Sequence, residues 1–376
     1  MKSFLSFLGI LAIFMAASLY AQKPAPLSIE RQGWLFAGGQ YSTVNGRQIL
    51  SGHLYAEFQI PSRKTHPYPI VMVTGGGQTG TNYTGTPDGR EGWAQYFLRQ
   101  GYAVYVTDQV GRGRAATADL YGPEGGGNME TIQQRFTTVE DYKQWPTAHL
   151  HTQFPGKAAP GNPAFDQFAS SQVPSIQDFA IQQKLNTAAL IALLDKIGPA
   201  IIVTHSQSGT FGWPVADARP NLVKAVIALE PNGPPFYNIT NTGAPDWFRD
   251  GDMQRPWGLT AEKLTYSPPT TAASELAIEQ QTKADGPDLA RCWLQKSPAR
   301  QLPKLQNIPI LILTAEASYH APYDHCTYKY LEQSGVKSTW IKLADLGIRG
   351  NGHMLMLEKN NMEIADVIAK WLAKAF

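Results

Sequence analysis

Short, almost wholly apolar runs recur along this chain at spacings too wide for hairpins. Residues 70–74 (IVMVT), 103–107 (AVYVT), 201–204 (IIVT), 223–229 (VKAVIAL) and 308–314 (IPILILT) are the clearest. Strands buried on both faces read this way, because helices cover each side of a parallel sheet. Residues 53–60 instead alternate apolar and polar, the pattern of an antiparallel strand with one wet face, and 339–343 are a further candidate strand. Helical patterns lie between these runs. Residues 91–100 carry Trp93, Tyr96 and Phe97 and stop at Gly101. Ser175 is placed to cap a helix that runs to Lys196 and ends at Gly198. Residues 361–376 put Ile364, Val367, Ile368 and Trp371 on one helical face. The alternation predicts an α/β fold around a mostly parallel sheet.

Two stretches break the pattern. Residues 112–174 are rich in Gly, Pro, Thr and Gln, and residues 231–300 hold Pro231, Pro234, Pro235, Pro245, Pro256, Pro268 and Pro269. Connections of this length in a compact domain are usually functional, so both are expected to form a lid or pocket wall above the sheet. At the N-terminus, Lys2 precedes an apolar run from Phe4 to Ala17, and Ser18-Leu19-Tyr20-Ala21 ends in a small residue. This is the layout of a signal peptide spanning residues 1–21. The run is too short for a membrane span. The expectation is an exported protein, periplasmic or extracellular, without stable membrane insertion. The formal net charge of +2 over 376 residues gives no reason to expect nucleic acid as a partner. Cys292 and Cys326 are the two cysteines. In an oxidising compartment they are expected to pair.

Ala200-Ile201-Ile202-Val203-Thr204-His205-Ser206-Gln207-Ser208-Gly209 is the most informative stretch. A β-run ends abruptly in a serine flanked by small residues, and a helix-compatible segment follows. That is a degenerate form of the G-x-S-x-G nucleophile elbow, with Thr204 and Ser208 in place of the two glycines. A hydroxyl is a poor nucleophile at neutral pH and needs a base. His353, in Gly350-Asn351-Gly352-His353 between the last strand and the C-terminal helix, is the candidate. His205 neighbours the serine but should point to the opposite face and pack beneath the turn. The base needs an orienting carboxylate. Glu230 ends the apolar strand 223–229 at the edge where such sites form, with Glu316 and Asp324 as rivals after the next strand. An early strand ending in Gly75-Gly76-Gly77 offers backbone N–H groups for an oxyanion, Gly76 or Gly77 together with Gln207. No Gly-Lys-Ser/Thr follows this run, which excludes a phosphate loop. Asp108, Gly111 and Gly113 are read as a structural strand-end turn. His320, Asp324, His325 and Cys326 lack the spacing of a metal site.

With these residues in view, the chain resembles the α/β-hydrolase superfamily over about residues 33–376. The shared features are the Gly75–Gln78 loop, the His205-Ser206-Gln207-Ser208-Gly209 elbow and Gly352-His353. It is similar to exported bacterial carboxylesterases that carry a glutamate triad acid after the sixth strand, the position of Glu230. The resemblance implies an α/β-hydrolase fold in residues 22–376 and hydrolysis of a small-molecule ester without cofactor or metal. The implied catalytic set is Ser206, His353 and Glu230, acting through an acyl-enzyme. Amide or peptide cleavage, acyl transfer, or ligand binding on a silent scaffold are the alternatives. Aromatics of the second insertion (Phe236, Tyr237, Trp247, Phe248, Trp257) are candidates for the pocket lining.

Overall fold

The computed structural model describes residues 25–116, 120, 121, 124, 125 and 128–376. The expected signal peptide, residues 1–21, and part of the first insertion lie outside the described residues. Eight strands form the main sheet: β1 (Ile29–Val44), β2 (Arg47–Pro61), β3 (Ile70–Val73), β4 (Val104–Asp108), β5 (Ala200–His205), β6 (Val223–Leu229), β7 (Ile310–Thr314) and β8 (Thr339–Lys342). Their spatial order is β1-β2-β4-β3-β5-β6-β7-β8. The β1–β2 and β2–β4 pairs are antiparallel and every other pair is parallel.

Each central strand is buried on both faces, as its unbroken apolar run predicts. Successive side chains enter opposite layers. Val71, Val73, Ile202, Val226, Ala228 and Ile312 join one core, and Ile70, Met72, Val203, Ile227, Leu311 and Leu313 join the other. Helices α1 (Trp93–Arg99) and α5 (Asn361–Ala375) cover the second core. Helices α2 (Phe179–Ile197), α3 (Gly209–Ala218) and α4 (Asp324–Gln333) cover the first. On α5 the buried positions are Ile364, Ala365, Ile368 and Leu372, and each large aliphatic among them contributes about 1.5–3 kcal/mol by leaving water.

Three details differ from the sequence reading. The first is β1, which that reading missed. Its residues pair with β2 from Ile29 to Val44 through a two-residue turn. Asn45 and Gly46 both have positive φ there (51° and 74°), the conformation that an Asn-Gly hairpin turn requires. The second is the start of α2. Asp178, not Ser175, is the N-cap, its side chain accepting the Ile181 N–H at 2.8 Å. Ser175 instead pairs with Gly125 in a short antiparallel bridge. The third is α4, a helix beginning at Asp324 that the sequence reading did not identify.

The register brings the relevant strand ends together. Val73 of β3 lies opposite Thr204 of β5, and His205 lies opposite Leu229 of β6. The Gly75 loop, Ser206 and Glu230 therefore leave the sheet side by side at its carboxyl edge.

Candidate active site

Ser206 follows β5 with φ of 53°, in the left-handed region that a residue with a Cβ seldom occupies. Backbone strain of this kind is characteristic of a serine held on a sharp strand-to-helix turn. Ser208 locks the turn: its hydroxyl accepts the His205 N–H at 2.8 Å and donates to the Val73 carbonyl at 2.9 Å. The small residue at position 209 has a steric cause. A Cβ on Gly209 would lie 2.4 Å from the Cβ of Pro231. The substitution of Thr204 for the first glycine is accommodated within the buried interior.

His353 and Glu230 meet beneath this turn. His353 Nδ1 is 2.5 Å from Glu230 Oε2. Glu230 is fully buried, also has positive φ (44°), and receives the Ala315 N–H on Oε1 at 2.8 Å and the Ser318 hydroxyl on Oε2 at 2.6 Å. Burial and the charge of Asp324 raise the Glu230 carboxyl above its ordinary range. Burial, followed by the neighbouring rings of His205 and His320, lowers the His353 imidazole. The rivals are engaged elsewhere. Glu316 holds Arg349 at 2.6 Å and the Gly350 N–H at 2.9 Å. Asp324 holds His320 Nδ1 at 2.9 Å and the Thr314 hydroxyl at 2.8 Å. His205 packs under the elbow, its Nε2 donating to the His353 carbonyl at 2.9 Å. Burial pushes it down to about 3, so it remains neutral.

Tyr319 was not signalled by the sequence, being one aromatic in a loop with no pattern around it. Its hydroxyl lies 3.2 Å from His353 Nε2 and hydrogen-bonds Ser206, linking the serine to the imidazole. Burial, opposed by Arg135 and by the Ser206 bond, carries the phenol up to about 12, so it stays protonated at neutral pH.

The glycine loop divides its two candidates. The Gly77 N–H is engaged by the Ser175 hydroxyl at 3.0 Å. Among the described residues no backbone acceptor takes the N–H of Gly76 or Gln207. Arg112, which carried no signal beyond its glycine neighbours, ties this region together. It donates to the Gly75 carbonyl at 2.6 Å and to Gln207 Oε1 at 3.0 Å. Asp108 is structural, as expected: it accepts the Gly80 N–H and both the N–H and the guanidinium of Arg114.

A cavity of about 550 Å³ opens over Ser206 and Gln207. One wall comes from residues 125, 128–136 and 172–182, and Asn232 and Gln254 come from the second insertion. None of the five aromatics proposed for the lining is there. Phe236 is in the core, Tyr237 and Trp257 pack against it, and Trp247 and Phe248 border a separate surface hollow. Phe236, Tyr237 and Trp257 are drawn inward because the proline-rich loops need apolar anchors of their own. A larger groove of about 840 Å³, between β8 and α5, contains none of the candidate residues.

The first insertion is fastened to the loop that carries His353. His151 is buried between Glu140 (3.0 Å) and Glu358 (2.9 Å). Glu358 also accepts the Gly352 N–H at 2.8 Å and the Asn351 amide at 2.7 Å. The Thr152 N–H reaches the Gly350 carbonyl at 2.9 Å, and Gln153 reaches that of Arg349 at 3.1 Å. Cys292 and Cys326, the latter on α4, form a disulfide, with His325 Nε2 3.2 Å from the Cys292 sulfur.

No family model matches the chain. It is 42% identical over 370 residues to a probable secreted lipase, phiG, of a fungal species (strain ATCC 74256), an alignment covering 97% of this chain and 96% of that one. Among solved structures it is similar to a bacterial esterase determined at atomic resolution, with a TM-score of 0.61 and 22% identity, covering 93% of this chain and 98% of that one. Among the described residues no helix is long and apolar enough to cross a membrane.

Proposed function

Because this chain belongs to the α/β-hydrolases, in the family of the secreted lipase that it matches over nearly its whole length, we propose that it is an exported serine hydrolase of carboxylic esters. The observation that carries the reading is the sequence of contacts from buried Glu230 through His353 and Tyr319 to Ser206 on its strained turn. In this reading Ser206 Oγ attacks the ester carbon and its proton passes to His353 Nε2. Glu230 holds the Nδ1–H tautomer and stabilises the imidazolium as it forms. The Tyr319 hydroxyl occupies Nε2 in the resting site and yields it to the serine when substrate arrives, since such contacts tighten only in the loaded enzyme. The tetrahedral oxyanion rests on the N–H groups of Gly76 and Gln207, each worth about 3–4 kcal/mol to the transition state. His353 returns the proton to the departing alcohol, leaving an acyl-enzyme at Ser206. It then activates the water that clears the acyl group. The Cys292–Cys326 bridge and the secreted relative support an oxidising, exported setting.

The test is covalent labelling of the folded protein with a fluorophosphonate, followed by peptide mapping. Modification at Ser206 that disappears in His353→Ala is the expected result. A folded protein that takes no label, or takes it at another residue, overturns the assignment.

A further inference from the structure

The lining of the cavity over Ser206 is unlike a slot for an alkyl chain. Side-chain amides and hydroxyls dominate it: Asn128, Thr131, Gln172, Gln182, Asn232 and Gln254 all border the space. Apolar pockets for small molecules are the general rule, with a few placed polar groups. Here the proportion is inverted. Among the described residues the cavity has one formal charge, that of Arg135, and no carboxylate.

Arg135 is exposed and belongs to a five-residue π-turn (Gln133–Thr137) in the first insertion. Such turns are rare and concentrate at functional sites. Its guanidinium lies over the Tyr319 ring, 5.6 Å from the centroid, and Tyr319 in turn contacts both Ser206 and His353. Phe136, the next residue, stacks on the His353 ring with centroids 5.7 Å apart. The cation is thus fixed close to the reacting centre, and among the described residues it has no salt-bridge partner. A guanidinium left without an anion beside a nucleophile, and ringed by neutral hydrogen-bonding groups, is suited to a planar oxyanion on the substrate.

Taking Ser206 as the nucleophile, we infer that the cavity selects polar esters bearing a carboxylate, with Arg135 as the anchor for that group and the surrounding amides as partners for further oxygens. The chemistry at the ester is unchanged; the inference concerns what the ester is attached to. A long unsubstituted acyl chain would meet Ile132, Phe136, Ile176 and Phe179 but leave the surrounding amides and hydroxyls unsatisfied.

Two matched pairs test this. On the acyl side, mono-4-nitrophenyl adipate is compared with 4-nitrophenyl hexanoate. On the alcohol side, 4-acetoxybenzoate is compared with its methyl ester. The expected result is a preference of about tenfold in kcat/KM for the anionic member of one pair, the ratio that a charge-assisted hydrogen bond supports. In Arg135→Gln that ratio falls to near unity, and Arg135→Lys restores part of it. Equal or faster turnover of the neutral member in both pairs overturns the inference, as does a preference that survives in Arg135→Gln. Titration of adipate and hexanoate into Ser206→Ala gives the same comparison without turnover: adipate binds and hexanoate does not. Loss of fluorophosphonate labelling sinks the nucleophile assignment. Intact labelling with no anion preference sinks the substrate class alone.

Discussion

Replacing Glu230 with glutamine separates the chemistry of the site from its packing. The carboxylate has three protein donors: Ala315 N–H on Oε1, and Ser318 Oγ and His353 Nδ1 on Oε2. A glutamine that keeps its carbonyl oxygen toward Ala315 presents its NH₂ to the other two. Ser318 can rotate its hydroxyl and accept. His353 can accept on Nδ1 only by moving its proton to Nε2, the nitrogen that must take the proton of Ser206. The variant therefore stays satisfied and folded but holds the base in the wrong tautomer. A loss of about 10⁴-fold in kcat is expected, as for the equivalent change in a serine protease triad. Truncation to alanine differs. It leaves up to three buried donors unpaired at about 1–3 kcal/mol each, so Glu230→Ala should lose several kcal/mol of stability as well. The assay is hydrolysis of 4-nitrophenyl butyrate alongside urea denaturation of the wild type, Glu230→Gln, Glu230→Ala, Glu316→Gln and Asp324→Asn. The reasoning is refuted if Glu230→Gln keeps kcat within tenfold of wild type, or if Asp324→Asn loses as much while remaining equally stable.

Other expectations follow from the same geometry. Both ring nitrogens of His151 face carboxylates, which only the charged imidazole satisfies. Although burial opposes it, the bonds to Glu140 and Glu358 carry its pKa from 6.5 up to about 9. Its contribution of about 2–3 kcal/mol is complete below pH 6.5 and is lost as pH rises through about 9. Urea midpoints at pH 6 and pH 10 should differ more for wild type than for His151→Gln, and parallel declines would contradict the clamp. Ser206→Gly should raise stability by about 1 kcal/mol while abolishing activity, because glycine adopts a φ of 53° without strain; a lower melting temperature would count against strain at the turn. The Cys292–Cys326 bridge closes a sequence separation of 34, so the double serine variant should lose about 3–4 kcal/mol, read as a shift in the urea midpoint that reducing agent reproduces in wild type.

Much of the frame was legible because it follows from period and burial. The run 223–229 became β6 with the predicted ends, and the serine, histidine and glutamate singled out along the chain are gathered at one sheet edge. What stayed hidden has particular causes. β1 was missed because its residues are largely exposed along its length, with Trp34 and Tyr41 in solvent, so no apolar face marks it. Ser175 and Asp178 are both competent caps three residues apart, and only tertiary structure decides between them by giving Ser175 the Gly77 N–H. That same bond removes Gly77 as a free donor, which no local pattern could show. Tyr319 and Arg112 stand in loops and Arg135 in a short π-turn, and they reach the site through the fold alone.

The fastening of the first insertion has a kinetic consequence. The wall of the cavity and the loop bearing His353 share a buried carboxylate–imidazolium–carboxylate bridge and two backbone carbonyl bonds. Swinging that wall away would strip a charged ring of both partners and pull on the base itself. On the proposed reading, this wall is not expected to swing as a lid at an oil–water boundary. The enzyme's velocity should rise smoothly to saturation with dissolved ester, without a jump where the substrate passes its solubility limit and begins to form droplets.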